Sequence, residues 1–418
     1  MKQYPWTFLF GICCFGIPLS AQSGFFNAFA EADKVWEQNE DNYYAPIHFL
    51  QGIAEDSLSK FEKNIYYDAL ATYHSINSNF EASLRYDSQR RSQRKYGGKR
   101  TVDSTFIHTK MSLAKQEILH VAEEFEVIMI NESHHTPYHR QLVSELLREL
   151  RQLGFNYLAL EGLSREHQVN ERRYPCFEDG FYTREPLFGE LIRQAVQLDY
   201  TLVAYEAAEK CKPEGKDKYY CQRFRDSIQA KNIYDIKKKD VGAKMLVLAG
   251  YSHIKKNSQP HKTRMAEYFA RLSGIQPLSI DQTTMMDFAD TNFLNPNYAY
   301  VQDHLPAEPV VFLNADGTIW RHSKRVDITV FSPPLTQTDH RYSFYQLRGQ
   351  VKYVPKVNHD GAFLIQAFYA QERGHTIPAD QFFRTEEEKC LYVYPGIYRI
   401  QFRDKRGALL SETVAEIK

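Results

Sequence analysis

The sequence predicts an α/β fold: a mainly parallel sheet with helices on both faces, preceded by a helical, tetratricopeptide (TPR)-like cap and followed by a small antiparallel β-sandwich. Short apolar runs in the middle of the chain alternate with helix-length segments, which is typical of parallel strands joined by crossover helices. The region before them shows no strand-like alternation, whereas the region after them alternates in short runs. The expected divisions are a signal peptide at 1–21, a helical cap and linker at 22–100, the α/β domain at 101–334 and the sandwich at 341–418.

The N-terminus has the order of a secretory signal. Lys2 precedes an apolar stretch at 6–17, and small residues follow up to Ala21. The apolar stretch is too short to cross a bilayer. We therefore expect cleavage after Ala21 and an exported protein, periplasmic or extracellular, with no transmembrane segment in the mature chain.

The expected cap contains one unit that resembles a TPR. Segments 66–73 and 80–86 place small and aromatic residues where two antiparallel helices would touch. A single unit favours a cap packed on the next domain over an independent peptide-binding array. The basic, polar segment 88–100 predicts a linker.

The α/β domain begins with an apolar run at 127–130. Thr136 and Pro137 predict the start of the helix that follows it, and Gly154 predicts its end. The expected sandwich shows alternating runs at 345–349, 363–368 and 391–394.

Charge and cysteine content narrow the function classes. Lys plus Arg and Asp plus Glu number 52 each, so no net field attracts nucleic acid. In an oxidising compartment Cys211 and Cys221 could pair, although their spacing does not require it. A zinc ribbon is not indicated, since the chain has no CxxC motif.

Five apolar runs are each followed by a residue capable of catalysis. These residues are Glu132, Glu161, Glu206, His253 and Asp281. Because the carboxyl ends of parallel strands meet at one edge of a sheet, we expect the five to converge there. This convergence predicts an enzyme, although Glu206 and Asp281 could equally cap the loops that follow them.

The segment after the first run carries a cluster of acid and base groups: Glu132, His134, His135 and His139. Together with Glu161 it could deprotonate a water molecule and stabilise the resulting oxyanion. The same residue types could bind a divalent metal ion, and the HExxH pattern that would favour zinc is absent. His139 could instead pack or cap, and the sequence leaves open which histidine of the 134–135 pair faces the site.

Four segments carry a family resemblance. The segments at 131–139 (NESHHTPYH), 158–161 (LALE), 225–233 (RDSIQAKNI) and 250–254 (GYSHI) resemble those of ChaN-like haem-binding lipoproteins and erythromycin esterases, of the Tiki/TraB/ChaN superfamily. The resemblance covers roughly residues 120–285. Asn131 stands where the family usually has glycine, and Thr136 replaces the glycine that follows the esterases' histidine.

The resemblance implies roles for particular residues. Arg225 would be a site-lining or structural arginine, and in the catalytic set we expect it to stabilise developing negative charge together with His253. Apart from the resemblance, His139 and Glu206 are candidate cofactor contacts. The implied catalytic residues are Glu132, His134 or His135, Glu161 and His253, and the implied metal ligands are Glu132, His134, Glu161 and His253.

We therefore expect a hydrolase-like protein that activates water against an ester or amide of a small molecule or peptide. A haem- or metal-binding uptake protein without catalysis is the alternative, using the same histidines as ligands. A third possibility is a scaffold whose flanking domains bind partners, including protein docking through the C-terminal sandwich.

Overall fold

The computed structural model describes residues 25–93, 101–357, 359–387 and 389–418. The expected signal peptide at 1–21 and the end of the expected linker lie outside this part of the chain. Its helices are α1 (Ala28–Glu37), α2 (Ala45–Gln51), α3 (Lys60–Ile76), α4 (Phe80–Ser92), α5 (Ala114–Ala122), α6 (His139–Gln152), α7 (Val169–Arg172), α8 (Pro186–Gln197), α9 (Tyr220–Lys239), α10 (Met265–Ser273) and α11 (Pro296–Val301). Its strands are β1 (Lys110–Leu113), β2 (Val127–Glu132), β3 (Phe155–Leu160), β4 (Thr201–Ala204), β5 (Lys244–Gly250), β6 (Leu278–Met285), β7 (Val310–Leu313), β8 (Ile328–Phe331), β9 (Gln337–Thr338), β10 (Arg341–Tyr342), β11 (Val351–Tyr353), β12 (Leu364–Tyr369), β13 (Asp380–Phe383), β14 (Leu391–Val393), β15 (Gly396–Arg403) and β16 (Leu409–Ile417).

The core is an eight-stranded sheet in the order β1-β7-β8-β6-β2-β5-β3-β4. All neighbours from β8 to β4 pair in parallel, whereas β7 runs antiparallel to both β1 and β8. The central strand β2 is buried along its whole length, as expected for a parallel strand covered on both faces. The α/β class with a mostly parallel sheet is therefore confirmed.

Helices cover the two faces of this sheet. Residues of α5, α6 and α8 share one buried apolar cluster with Ile128 and Ile130 of β2. Residues of α9 and α10 share another with Val127 and Met129 of the same strand. Because successive side chains of a strand point to opposite faces, these clusters lie on opposite sides of the sheet.

Two predicted boundaries differ from the structure. Helix α6 begins at His139 rather than Pro137, because residues 136–139 form a turn in which His139 N–H donates to Thr136 O at 3.3 Å. The predicted end is confirmed, since Gly154 follows α6 with a φ of +89°. Strand β6 continues to Met285, so Asp281 lies within the strand rather than after it.

The region after the core contains small antiparallel sheets. One has the order β13-β12-β15-β16, and β11-β14 and β9-β10 form separate pairs. The run at 345–349 is not a strand, because residues 343–345 form a short 3-10 helix. The buried side chain of Arg193 in α8 donates two hydrogen bonds to Glu372, at 2.7 Å each, which ties this region to the core.

Helices α1 to α3 bury an aromatic cluster that includes Trp36 and Tyr73, and the partly buried Tyr86 of α4 packs against it. Helices α3 and α4 pack side by side across a short turn.

No helix in the described ranges combines the length and apolarity needed to cross a membrane. Cys211 and Cys221 form a disulfide.

Candidate active site

The carboxyl ends of three neighbouring strands bring the main candidates together. Glu132 ends β2 and lies opposite Gly250, the last residue of β5, and Glu161 directly follows β3 on the other side of β5. Glu161 Oε1 lies 3.8 Å from His134 Nε2 and 3.7 Å from His253 Nε2. Residues distant in sequence thus meet at one edge of the sheet.

Glu132 is buried and held by an arginine that the sequence did not single out. Arg140 donates from Nε to Glu132 Oε2 at 2.9 Å and from Nη2 to Oε1 at 3.1 Å. Burial opposes the charge of Glu132, but Arg140 and His134 outweigh it and lower its pKa to about 2. Arg140 also donates from Nη1 to Glu185 Oε2 at 2.8 Å. Glu132 is therefore an ionised acceptor in a fixed position.

His134 takes its orientation from this carboxylate. Its Nδ1 lies 2.8 Å from Glu132 Oε1 and must donate, since the carboxylate can only accept. In the neutral ring Nε2 then carries the lone pair, and it points toward Glu161. A Cβ on Gly250 would lie 2.6 Å from this Nε2, so only glycine fits there. The His134 side chain keeps 15% of its surface exposed.

Glu161 is held by a guanidinium and a backbone amide. Arg225 donates from Nη2 to Glu161 Oε1 at 2.5 Å, and Gly250 N–H donates to Oε2. Burial would raise the pKa of Glu161, but Arg225, His253 and His134 outweigh it and hold the pKa well below its usual range. Glu161 is therefore a buried anion that aligns its neighbours.

Arg225 connects Glu161 to two further predicted residues. It donates from Nε to Glu206 Oε1 at 2.9 Å, and its Nη1 lies 2.9 Å from His253 Nε2. The Glu206 side chain is 30% exposed, so this edge of the site is open to solvent. Gln229 donates to Glu206 Oε2 at 3.0 Å.

His253 is buried and paired through Nδ1 with Asp226 Oδ1. Burial disfavours the charged imidazole, but Asp226 and Glu161 outweigh it and raise the pKa of His253. While Arg225 donates to Nε2 the ring is neutral, and protonation of Nε2 requires that contact to open. Asp226 also accepts from Gln222 Nε2 at 2.9 Å.

The two neighbouring histidines face different surroundings. His135 points to the cap helices, where its Nε2 lies 3.2 Å from Asp87 Oδ1 and its Nδ1 lies 3.7 Å from Asp68 Oδ1. Ser83 of α4 donates to the backbone oxygen of His135 at 3.2 Å. The geometry therefore places His134 in the site and His135 at its contact with the cap.

Two other candidates lie within hydrogen-bonded frameworks. His139 is buried, and its Nδ1 accepts from Ser133 N–H at 3.1 Å, which fixes the loop carrying His134. Burial lowers the pKa of His139 to about 3. Asp281 is fully buried and accepts from Asn131 Nδ2 at 2.8 Å. Neither group contacts the Glu132, Glu161 or His253 side chains in the hydrogen bonds of the described residues.

Sequence reasoning did not assign roles to Arg140, Asp226 or Tyr182. Asp226 stands inside the resembling segment 225–233, directly after Arg225, so that segment carried a signal for it. Arg140 follows His139 in the first turn of α6, and helical spacing alone does not distinguish it from the other polar residues of that helix. Tyr182 begins a short 3-10 helix in the connection between α7 and α8, and such connections carry little readable pattern.

The four predicted metal ligands do not fit a metal site. Glu132 presents both oxygens to Arg140, and Glu161 presents its oxygens to Arg225 and Gly250. Within the described part of the chain, no group of three or more His, Cys, Asp or Glu side chains could hold a metal ion. The negative charge of these carboxylates is balanced by arginine.

Comparisons with known proteins leave the family open. No family model and no curated protein matches the chain. A solved structure described as the type III effector HopBA1 is 12% identical, with a TM-score of 0.33, over 56% of this chain and 100% of that one. Another, described as bacterial protein toxins, is 12% identical, with a TM-score of 0.32, over 64% of this chain and 69% of that one. These likenesses are too weak to argue for a fold or a function.

Proposed function

We propose that the chain is a hydrolase in which His134 activates a water molecule against an ester or amide. One observation carries the proposal: Glu132 fixes Nδ1 of His134, which leaves Nε2 as a base beside Glu161, the carboxylate that Arg225 binds. A carboxylate that orients a histidine so that Nε2 accepts protons is a recurring arrangement in hydrolytic enzymes.

The reaction would proceed in two steps. Water attacks the carbonyl carbon while His134 Nε2 takes its proton, and the carbonyl electron pair moves to oxygen. The positive charge of Arg225, which is bound to Glu161, stabilises the anionic oxygen. The carbonyl then re-forms, the bond to the leaving group breaks, and the leaving group takes the proton from His134. Glu132 stabilises the imidazolium between the two steps.

A panel of p-nitrophenyl esters, lactones and short peptides tests the proposal on the purified protein. We expect hydrolysis above the buffer rate for at least one compound, and a fall in kcat/KM of about 10³-fold in His134→Gln, because that change removes the base. His120→Gln, in α5, is the matched control. Absence of turnover by the parent, or full activity in His134→Gln, would contradict the proposal.

The alternative of a haem- or metal-binding uptake protein stays a prediction, as does the family resemblance. An absorbance spectrum and a metal analysis of the purified protein test this alternative. Haem bound through His134 without hydrolysis of any panel compound would favour it.

Export, the TPR-like character of the cap and docking through a C-terminal sandwich also stay predictions. Terminal sequencing of the mature protein from the periplasm or the medium tests cleavage after Ala21.

A third possibility is a scaffold that acts through its flanking regions. It predicts that the purified protein hydrolyses no compound of the panel and binds no haem.

A further inference from the structure

The segment between β3 and α8, residues 161–185, which contains α7, places one aromatic ring on the proposed base. The ring of Tyr182 stacks on the imidazole of His134, with centroids 4.0 Å apart and an interplanar angle of 16°. Glu132 binds Nδ1 at the edge of the His134 ring, and the Gly250 backbone lies close to Nε2, where an added Cβ would be 2.6 Å away. The ring of Tyr251 lies roughly perpendicular to His134 at a centroid distance of 6.1 Å, so Tyr182 supplies the stacking contact on the face of the imidazole.

Close backbone contact fixes where Tyr182 lies. A Cβ on Gly180 would lie 2.0 Å from Gly162 O, and a Cβ on Gly162 would lie 3.0 Å from the Cβ of Tyr182. The two glycines therefore let the chain before Tyr182 pass directly against the chain after Glu161. The position of Tyr182 depends on this contact and not on its own side chain alone.

The cap anchors the neighbouring residue. Phe181 packs edge-on against Tyr73 at a centroid distance of 5.6 Å, and against Phe29 at 6.2 Å. Both partners belong to the buried aromatic cluster of the cap. The cap thus fixes Phe181, and Phe181 fixes the backbone from which Tyr182 extends.

The phenol of Tyr182 stays neutral in this position. Burial raises the pKa of Tyr182 well above its usual value, and the carboxylates of Asp68 and Glu161 raise it further while Arg225 opposes them. Tyr182 therefore adds an apolar ring face beside the base without adding a charge.

We infer that Tyr182 is a positioning residue, whose ring holds the His134 imidazole in the plane that keeps Nδ1 on Glu132 and Nε2 toward Glu161. The inference rests on the proposed function for its effect on the rate. It gives the helical cap a part in catalysis, since the cap carries the aromatic anchor of this segment. Tyr182 acts through His134 and needs no contact with the substrate.

The test compares Tyr182→Leu, which removes the ring, with Tyr182→Phe, which keeps it. Steady-state kinetics use p-nitrophenyl butyrate, and long-range proton–nitrogen NMR reports the tautomer of His134, whose signals are assigned by their loss in His134→Gln. We expect Tyr182→Leu to lower kcat about 10- to 100-fold, with KM changed less than about threefold, because a misaligned base acts on the chemical step. Its His134 signals should lose their upfield ring-current shift and report mixed tautomers.

Tyr182→Phe should keep both the kcat and the NMR signature of the parent. Equal kcat and unchanged His134 signals in Tyr182→Leu would overturn the inference, and an equal loss in Tyr182→Phe would assign the effect to the hydroxyl instead. If the parent hydrolyses nothing, the proposed function fails, and the His134 spectra alone decide the role of Tyr182. If Tyr182→Leu does not fold, absence of an upfield shift of His134 in the parent and in Tyr182→Phe would overturn the inference.

Discussion

Two histidine–carboxylate pairs lie beside Glu161, and they differ in their surroundings. His134 pairs with Glu132, and His253 pairs with Asp226, in each case through Nδ1. Their Nε2 atoms are almost equally far from Glu161 Oε1, at 3.8 and 3.7 Å. A histidine paired through Nδ1 with a carboxylate therefore occurs twice at the end of the sheet.

The difference lies at Nε2. His253 is buried, with 3% of its side chain exposed, and its Nε2 contacts Arg225. His134 is 15% exposed, and its Nε2 makes no hydrogen bond within the described residues. A proton acceptor needs a free lone pair and access to the substrate, so His134 suits the base and His253 suits electrostatic support. Four predictions, which use three substitutions, sharpen or break this division.

The largest effect is expected for Glu132→Gln. A glutamine amide can donate to Nδ1, which would move the proton of His134 to Nε2 and remove the lone pair that accepts the proton of water. We expect kcat/KM for the best ester of the panel to fall by about 10³-fold. Glu185→Gln, which changes the other carboxylate on Arg140, is the matched control and should lose far less. A loss below tenfold in Glu132→Gln would remove His134 from the role of base.

Asp226→Asn should cost less, about 10- to 100-fold in kcat/KM. His253 would lose the partner that raises its pKa, while the base and Glu132 stay in place. The same ester assay measures it, with Gln222→Met as a control that removes the hydrogen bond to Asp226 Oδ2 and leaves the contact between Asp226 and His253 in place. A larger loss in Asp226→Asn than in Glu132→Gln would exchange the roles of the two pairs.

Acid unfolding should depend on Glu132. Its pKa is about 2 in the folded chain, below the ordinary value of 4.5, so the folded state favours the ionised form. The stability from this difference is fully present above pH 4.5 and is lost as the pH falls toward 2. It amounts to roughly 3 kcal/mol by the usual conversion of pKa to free energy. Urea unfolding of the parent and Glu132→Gln over this pH range should converge at the acid end, and parallel curves would contradict the prediction.

The smallest effect on catalysis is expected for His135→Gln. This change weakens the contact with Asp87, whose pKa is held low because Arg90 and His135 outweigh its burial. We expect a loss of about 1 kcal/mol in unfolding free energy, as for a single buried polar contact. The loss in kcat/KM should be at least tenfold smaller than for His134→Gln. Comparable losses of kcat/KM in His135→Gln and His134→Gln would show that the contact between His135 and the cap is itself required for catalysis.

The strand ends were the part of the site that could be predicted from the sequence. Glu132 and Glu161 follow apolar runs where burial of a carboxylate is costly, which predicts a functional role for them before any contact is known. Their convergence follows from the parallel pairing of β2, β5 and β3. Asp281 shows the limit of this reasoning, because β6 continues past it and buries it among Asn131 and threonine side chains.

By itself the sequence determined the alternation of apolar runs and helices, and with it the fold class and the edge of the sheet where acids and bases gather. These properties are local, since they depend on periodicity and on the residue type at the end of each run. Only the tertiary structure decided that His134 faces the site while His135 faces Asp87, because both come after the same strand and differ only in the groups that the cap brings near them. It also decided that Arg140 and Arg225 neutralise the carboxylates and that Tyr182 lies on His134, since these contacts join segments distant along the chain.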